Sequence, residues 1–162
     1  MKKVFVAIIA LLLLSISLTS CGANVPRPEI KEGRFNISVT YEHNGEIKTV
    51  SGVYVCEYEG VNWWDINADP YANWKESFEG DGITEDGIIP ICNTDDGGEI
   101  FISLLMYPEY FMGDPEHAES TPIVRAEIFY DDRQIDDADV IAEYGVKLID
   151  CKYDKPIENT YK

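Results

Sequence analysis

The chain has 162 residues, with 30 acidic against 13 basic side chains and a formal charge of −17. That balance excludes nucleic acid as a partner, because binding it needs clustered Lys and Arg to displace counterions. It also argues against a body lying flat on anionic lipid, while 45% hydrophobic content and ten tyrosines exclude a disordered chain.

Met1-Lys2-Lys3 is a short basic start, and Val4 to Leu14 is an unbroken apolar run that Ser15 to Leu18 continues loosely. The run is shorter than the ~20 residues of a membrane-spanning helix. A basic start, a short apolar stretch and a small-residue cut site fit a signal peptide better. Leu18-Thr19-Ser20-Cys21 then resembles the lipobox of bacterial lipoprotein signal peptides. Leu18 fills the aliphatic position, Ser20 the small residue before the cut, and Cys21 the lipidated cysteine. The resemblance implies removal of residues 1–20 and a diacylglycerol, with palmitate-like chains, on Cys21. Two chains give stable anchoring where one is marginal, so the expected location is extracytoplasmic, at the membrane. The mature chain keeps 11 basic and 30 acidic residues, a formal charge of −19.

Residues 21–33 read as a lipidated tether; residues 22–33, fully extended, reach about 40 Å at ~3.3 Å each. One domain is expected over 34–156, with a polar tail at 157–162. Phe35, Ile37, Val39 and Tyr41 alternate with polar residues, which predicts a strand with one buried face. Asn44-Gly45 predicts a tight hairpin turn, because both positions favour positive φ. A return strand follows from Ile47 to about Tyr58, where Gly52 is expected to mark a bulge.

Residues 60–84 break the alternation and hold all three tryptophans. They read as a long aromatic insertion with a short helical turn after Pro70. Strands are expected again at about 87–92 and 98–107. In the second, Ile100, Ile102, Leu104 and Met106 face one way and Phe101 and Leu105 the other, the pattern of a central or covered strand. Residues 108–121 read as a loop. Val124, Ala126, Ile128 and Tyr130 then alternate with Ile123, Arg125, Glu127 and Phe129. A short helix is expected over 136–144, capped by Asp136 or Asp137 and ended by Gly145. A last strand runs from about Val146 to Tyr153. Six or so antiparallel strands make the fold class mainly β, an antiparallel two-sheet sandwich of Ig-like architecture. In composition and layout the mature domain resembles the small uncharacterised lipoproteins of Gram-positive anaerobes, a likeness that brings no activity with it.

Asp65, Asn67, Asp69, Asn73 and Glu76 stand at the spacing of a calcium loop, where hard cations take oxygen ligands. Pro70 occupies the position that such a loop gives to Gly, and its φ is locked near −65°. The plainer reading is an Asx-rich turn; a looser calcium site would use Asp65, Asn67 and Asp69. No other cofactor is expected. Trp63, Trp64, Tyr71 and Trp74 are the candidate contacts for a ligand or partner, against the alternative that they pack the long loop onto a sheet. Cys56, Cys92 and Cys151 allow one disulfide at most, in any of three pairings, and none is spaced for zinc. Catalytic signatures such as Gly-x-Ser-x-Gly are missing, and His43 and His117 read as solvated side chains. The expected function is a non-catalytic interaction module for an envelope protein. A glycan-binding module, with structural calcium or without, is the alternative, and an envelope hydrolase with paired acids the third reading.

Overall fold

Asn44 and Gly45 turn the chain with φ of 54° and 84°, the two positive values of a two-residue type I′ hairpin. They join β1 (Glu32–His43) to β2 (Glu46–Asn62) in unbroken register from Glu32↔Glu57 to His43↔Glu46. This computed structural model describes residues 27–62, 71–114 and 120–162. Six more strands follow: β3 (Tyr71–Glu79), β4 (Ile88–Asn93), β5 (Glu99–Leu105), β6 (Ile123–Tyr130), β7 (Arg133–Ile135) and β8 (Val146–Tyr153). They form two antiparallel four-stranded sheets, ordered β3-β2-β1-β8 and β4-β5-β6-β7. The mainly β two-sheet architecture expected from the sequence is therefore present. Two short helices, α1 (Pro108–Phe111) and α2 (Ala138–Glu143), complete the described elements.

The alternation in β1 works as expected. Phe35, Ile37, Val39 and Tyr41 are buried, and the residues between them are wholly or partly exposed. Opposite them Tyr54 is the centre of the core, with ring centroids 5.0 Å from Phe78 and 5.2 Å from Phe111. Phe111 comes from α1, inside the stretch expected to be loop, and is fully buried. Burying such a ring contributes about 1.5–3 kcal/mol, which explains why a four-residue helix is held there. Under α2 a smaller cluster joins Ile100, Ile128, Ile141 and Val146. Asp137 caps that helix through its carboxylate, which accepts from Asp139 N at 2.9 Å and Val140 N at 3.3 Å.

Two expectations need correction. The first is the long insertion: Tyr71–Glu79 is a strand paired with β2 from Val53↔Glu79 to Asn62↔Tyr71. Its inward set, Ala72, Trp74, Glu76 and Phe78, is a two-residue alternation, which one acid among apolar residues and the neighbouring tryptophans disguise. The second is Gly52, which pairs regularly with Ile37; the bulge in β2 lies between Tyr58 and Gly60. Gly52 serves close approach instead, since a Cβ there would stand 2.6 Å from the Glu79 carbonyl oxygen. Cys56, Cys92 and Cys151 are all free thiols.

Both flanks of the expected domain are drawn into it. Arg27 N donates to Lys162 O at 2.7 Å and Lys162 N to Arg27 O at 3.0 Å, and Pro28 bridges Tyr161. Ile157 N donates to the Phe111 carbonyl at 3.0 Å. The C-terminal residues thus cover the helix that plugs the core. Among the described residues no helix is long and apolar enough to cross a membrane.

Candidate interaction surface

The inward faces of both sheets are filled, so the face with capacity to bind is an outward one. On β4, β5 and β6 the register fixes what that face carries. Pro90 lies opposite Phe101, and Phe101 opposite Glu127. Ile88 lies opposite Ser103, and Ser103 opposite Arg125. Glu99 pairs with Phe129, and Leu105 with Ile123. Aromatic and aliphatic side chains thus surround a short polar row.

Four of these side chains stay open to water in a way that core packing does not explain. Phe129 is 48% exposed, Ile123 43% and Leu105 40%, and Phe101 is half-buried. Two of them, Phe101 and Phe129, border a groove of about 720 Å³ between β4, β5 and β6, lined also by Ile88, Pro90, Ile91, Cys92, Asn93, Glu99 and Ile100. An apolar groove of this kind is a candidate place for another molecule to dock.

The polar row is held by charge. Arg125 Nε forms an ion pair with the buried Glu127 carboxylate, a contact without hydrogen-bond alignment. Arg125 Nη1 reaches Asp136 Oδ2 at 3.1 Å. Beside them Ser103, 9% exposed, has a buried hydroxyl with no hydrogen-bond partner. A buried hydroxyl without a partner carries a desolvation penalty.

A second cluster sits at the inward face of the other sheet. The Tyr54 hydroxyl is 2.5 Å from Glu76 Oε2 and 3.0 Å from the Met106 carbonyl oxygen. Burial, followed by the nearby Cys56 and Glu76, keeps the Tyr54 phenol far above its ordinary value, so it remains a donor. Desolvation raises the Glu76 carboxyl above the ordinary glutamate range; the Tyr54 hydrogen bond opposes this and Glu109 adds to it. Desolvation also pushes the Cys56 thiol up to about 12. A thiol in that state is not the reactive thiolate. Glu76 is exposed and its bond to Tyr54 part-buried, so the pair stands at the rim of the core.

Of the contacts expected from the sequence, Trp74 lies in the core at 8% exposure, edge-on to Tyr58 at 5.5 Å. Tyr71 is half-buried on β3, and its hydroxyl accepts from Asn62 Nδ2 at 2.8 Å. Trp63, Trp64, Asp65, Asn67 and Asp69 lie outside the described residues. Two positions of the calcium-loop spacing are placed on β3 and otherwise engaged: Asn73 Nδ2 donates to Glu59, and Glu76 accepts from Tyr54. No group of three or more metal-ligating side chains is assembled among the described residues. Sequence reasoning missed Phe101, Phe129 and Ser103, although it had divided β5 into two apolar faces. The signal was present: an outward face with Phe at 101 and 129 is more apolar than solvation requires. Comparison of the chain with protein-family models, with characterised proteins and with solved structures finds no match.

Proposed function

We propose that this is a membrane-anchored extracytoplasmic lipoprotein whose sandwich is a non-catalytic interaction module for an envelope protein. The observation that carries the module reading is the outward apolar face of β4, β5 and β6, with Phe129 48% exposed beside its groove. The sequence Leu18-Thr19-Ser20-Cys21 supports the anchor. The acidity supports a protein partner over nucleic acid or anionic lipid.

Two measurements test the reading. Metabolic labelling with a palmitate analogue should mark the full-length protein and fail on Cys21→Ala; equal labelling of both removes the anchor. In-cell crosslinking, with Cys21→Ala as the unanchored control, should recover one envelope protein from the anchored form. Recovery of glycan fragments, or tryptophan fluorescence that shifts with soluble wall glycans, would replace the protein partner with a sugar.

A further inference from the structure

We propose that residues 157–162 are a latch, hooked on α1, that sets how far the domain stands from its membrane anchor. The latch is a property of the fold; its effect on reach rests on the anchor at Cys21 proposed above.

The two ends of the domain meet as a short antiparallel pair. Arg27 and Lys162 exchange both backbone bonds, at 2.7 Å and 3.0 Å, and Glu29 N donates to Thr160 O at 2.8 Å. At the next step a side chain takes over from the backbone. Asn159 Oδ1 accepts from Ile30 N at 3.0 Å, and Asn159 Nδ2 donates to Ile30 O at 2.9 Å. Lys162 also forms an ion pair with Glu29. Among the described residues, every hydrogen bond of residues 27–30 runs to residues 159–162.

The other side of this strap is fixed on α1. Ile157 N donates to Phe111 O at 3.0 Å, and the Tyr161 hydroxyl donates to Met112 O at 3.3 Å. These carbonyls stand at the C-terminal end of a one-turn helix, where no later turn supplies a donor. Gly113 leaves the strap its space, since a Cβ there would stand 2.5 Å from the Ile157 carbonyl oxygen. The order is therefore α1, strap, tether, and lifting the strap frees residues 27–30.

The strap is also the part of this end that water reaches. Glu158, Thr160 and Lys162 are exposed, while Ile157 and Tyr161 pack on the rim of the core and stay half-buried. By contrast β1 is paired with β2 on one side and β8 on the other, and it buries Ile37 and Val39. A unit with few buried apolar contacts and water-exposed backbone bonds opens well below global unfolding. Opening moves the first held residue from Arg27 to Lys31, whose carbonyl accepts from Tyr58 N at 2.9 Å. The free tether then grows from residues 21–26 to residues 21–30, from about 20 Å to about 33 Å at ~3.3 Å each.

Hydrogen exchange on the lipidated protein, purified from membranes and returned to vesicles, tests the latch. The amides at positions 29, 30, 157 and 162 should share one level of protection, below that of Ile37 to Tyr41 in β1. Asn159→Ala removes both bonds to Ile30 and should raise their common rate about tenfold, with β1 unchanged. Arg27→Cys combined with Lys162→Cys sets the opposite state. A hydrogen-bonded antiparallel pair places its Cα atoms about 5.5 Å apart, inside the range that a disulfide spans. Oxidation of that variant should slow the same amides, and reduction should restore them. Reach is read by energy transfer from a fluorescent residue at Glu57, exposed on β2, to a headgroup acceptor. Removing residues 157–162 should lower the transfer while β1 keeps its protection. Tether amides that exchange without those of the strap, strap amides that exchange only with β1, or a truncation that strips β1 of protection would each overturn the latch. Indifference of the four amides to Asn159→Ala would do the same. Unaltered transfer beside the expected exchange overturns the latch as a control of reach. The expected exchange with no transfer from either form removes the anchor and leaves the latch standing.

Discussion

The Tyr54 hydroxyl on β2 and the Glu76 carboxylate on β3 meet at 2.5 Å, and the same hydroxyl reaches the Met106 carbonyl at 3.0 Å. One side chain therefore ties the two strands of the first sheet to the end of β5 in the second. Tyr54→Phe keeps the ring and removes the donor, leaving a part-buried carboxylate and a buried carbonyl without their partner. A loss of about 1–3 kcal/mol is expected, read as a lower midpoint in urea unfolding. An unchanged midpoint would show that water replaces the hydroxyl at no cost.

The same pair gives a pH dependence with a definite sign. The folded Glu76 carboxyl holds its proton to higher pH than in the unfolded chain. In the window between the ordinary glutamate value and the raised folded value, the native state binds more protons than the unfolded one. Stability from this group is therefore present below the unfolded pKa and falls as pH rises through the window. Glu76→Gln keeps an acceptor for Tyr54 and cannot ionise. The stability of Glu76→Gln relative to the parent should rise with pH across that window and then level off. A flat difference, or one that falls, would contradict the raised value.

How much of this was legible in the sequence depends on the signal each part used. The β1–β2 hairpin was readable because Asn44-Gly45 and the Phe35 to Tyr41 alternation are both local. The Asp137 cap was local as well. β3 was not readable. Its row of Ala72, Trp74, Glu76 and Phe78 contains an exposed acid that is held at the rim of the core by Tyr54, 22 residues away in sequence. A small residue, an acid and two aromatics do not make a hydrophobic period until the partner is known. The groove was half readable. The two apolar faces of β5 were visible, but only the cross-strand pairs Glu99↔Phe129 and Phe101↔Glu127 show that the outward one joins a larger surface.

Trp74 separates packing from recognition. It is 8% exposed, and its indole Nε1 is buried with no hydrogen-bond partner. Trp74→Ala should cost about 3–5 kcal/mol, as large-to-small core substitutions of this residue do. Trp74→Phe should cost clearly less, because it keeps most of the ring and removes an unsatisfied donor. Equal losses for the two variants in denaturant unfolding would mean that the indole N–H has a partner after all.

The three thiols are free, and desolvation is the main cause raising each above its ordinary value. In the native protein near neutral pH, alkylation should be slow at Cys92 and Cys151 and slowest at the fully buried Cys56. All three should react at once on unfolding. Peptide mass mapping without reductant reads both the rates and any bridge. A disulfide-linked peptide pair in the native protein would overturn the free-thiol arrangement.

Charge is distributed along the domain in a way that the proposed anchor makes testable. Residues 27–34 and 150–162 are brought together by the Arg27–Lys162 hydrogen bonds. They carry six basic and five acidic side chains, and Glu57, Glu79, Glu109 and Asp114 stand against them, so this end carries a formal charge of −3 and the rest of the mature chain −16. With Cys21 lipidated as proposed, only residues 21–26 precede the paired Arg27, a reach of about 20 Å at ~3.3 Å each. That anchor would hold the less acidic end near the headgroups, and repulsion from anionic lipid would turn the more acidic body outward. The twelve residues of β1 carry the Asn44-Gly45 turn about 40 Å from the strand's start, at ~3.4 Å per residue. Energy transfer to a headgroup acceptor, from a fluorescent residue at Lys162 or at Asn44, should be strong for the first and weak for the second in vesicles containing phosphatidylglycerol. The contrast should shrink at high salt, where the repulsion is screened. Equal transfer from both positions at low salt would mean that the domain lies along the membrane, and would remove charge as the cause of its orientation.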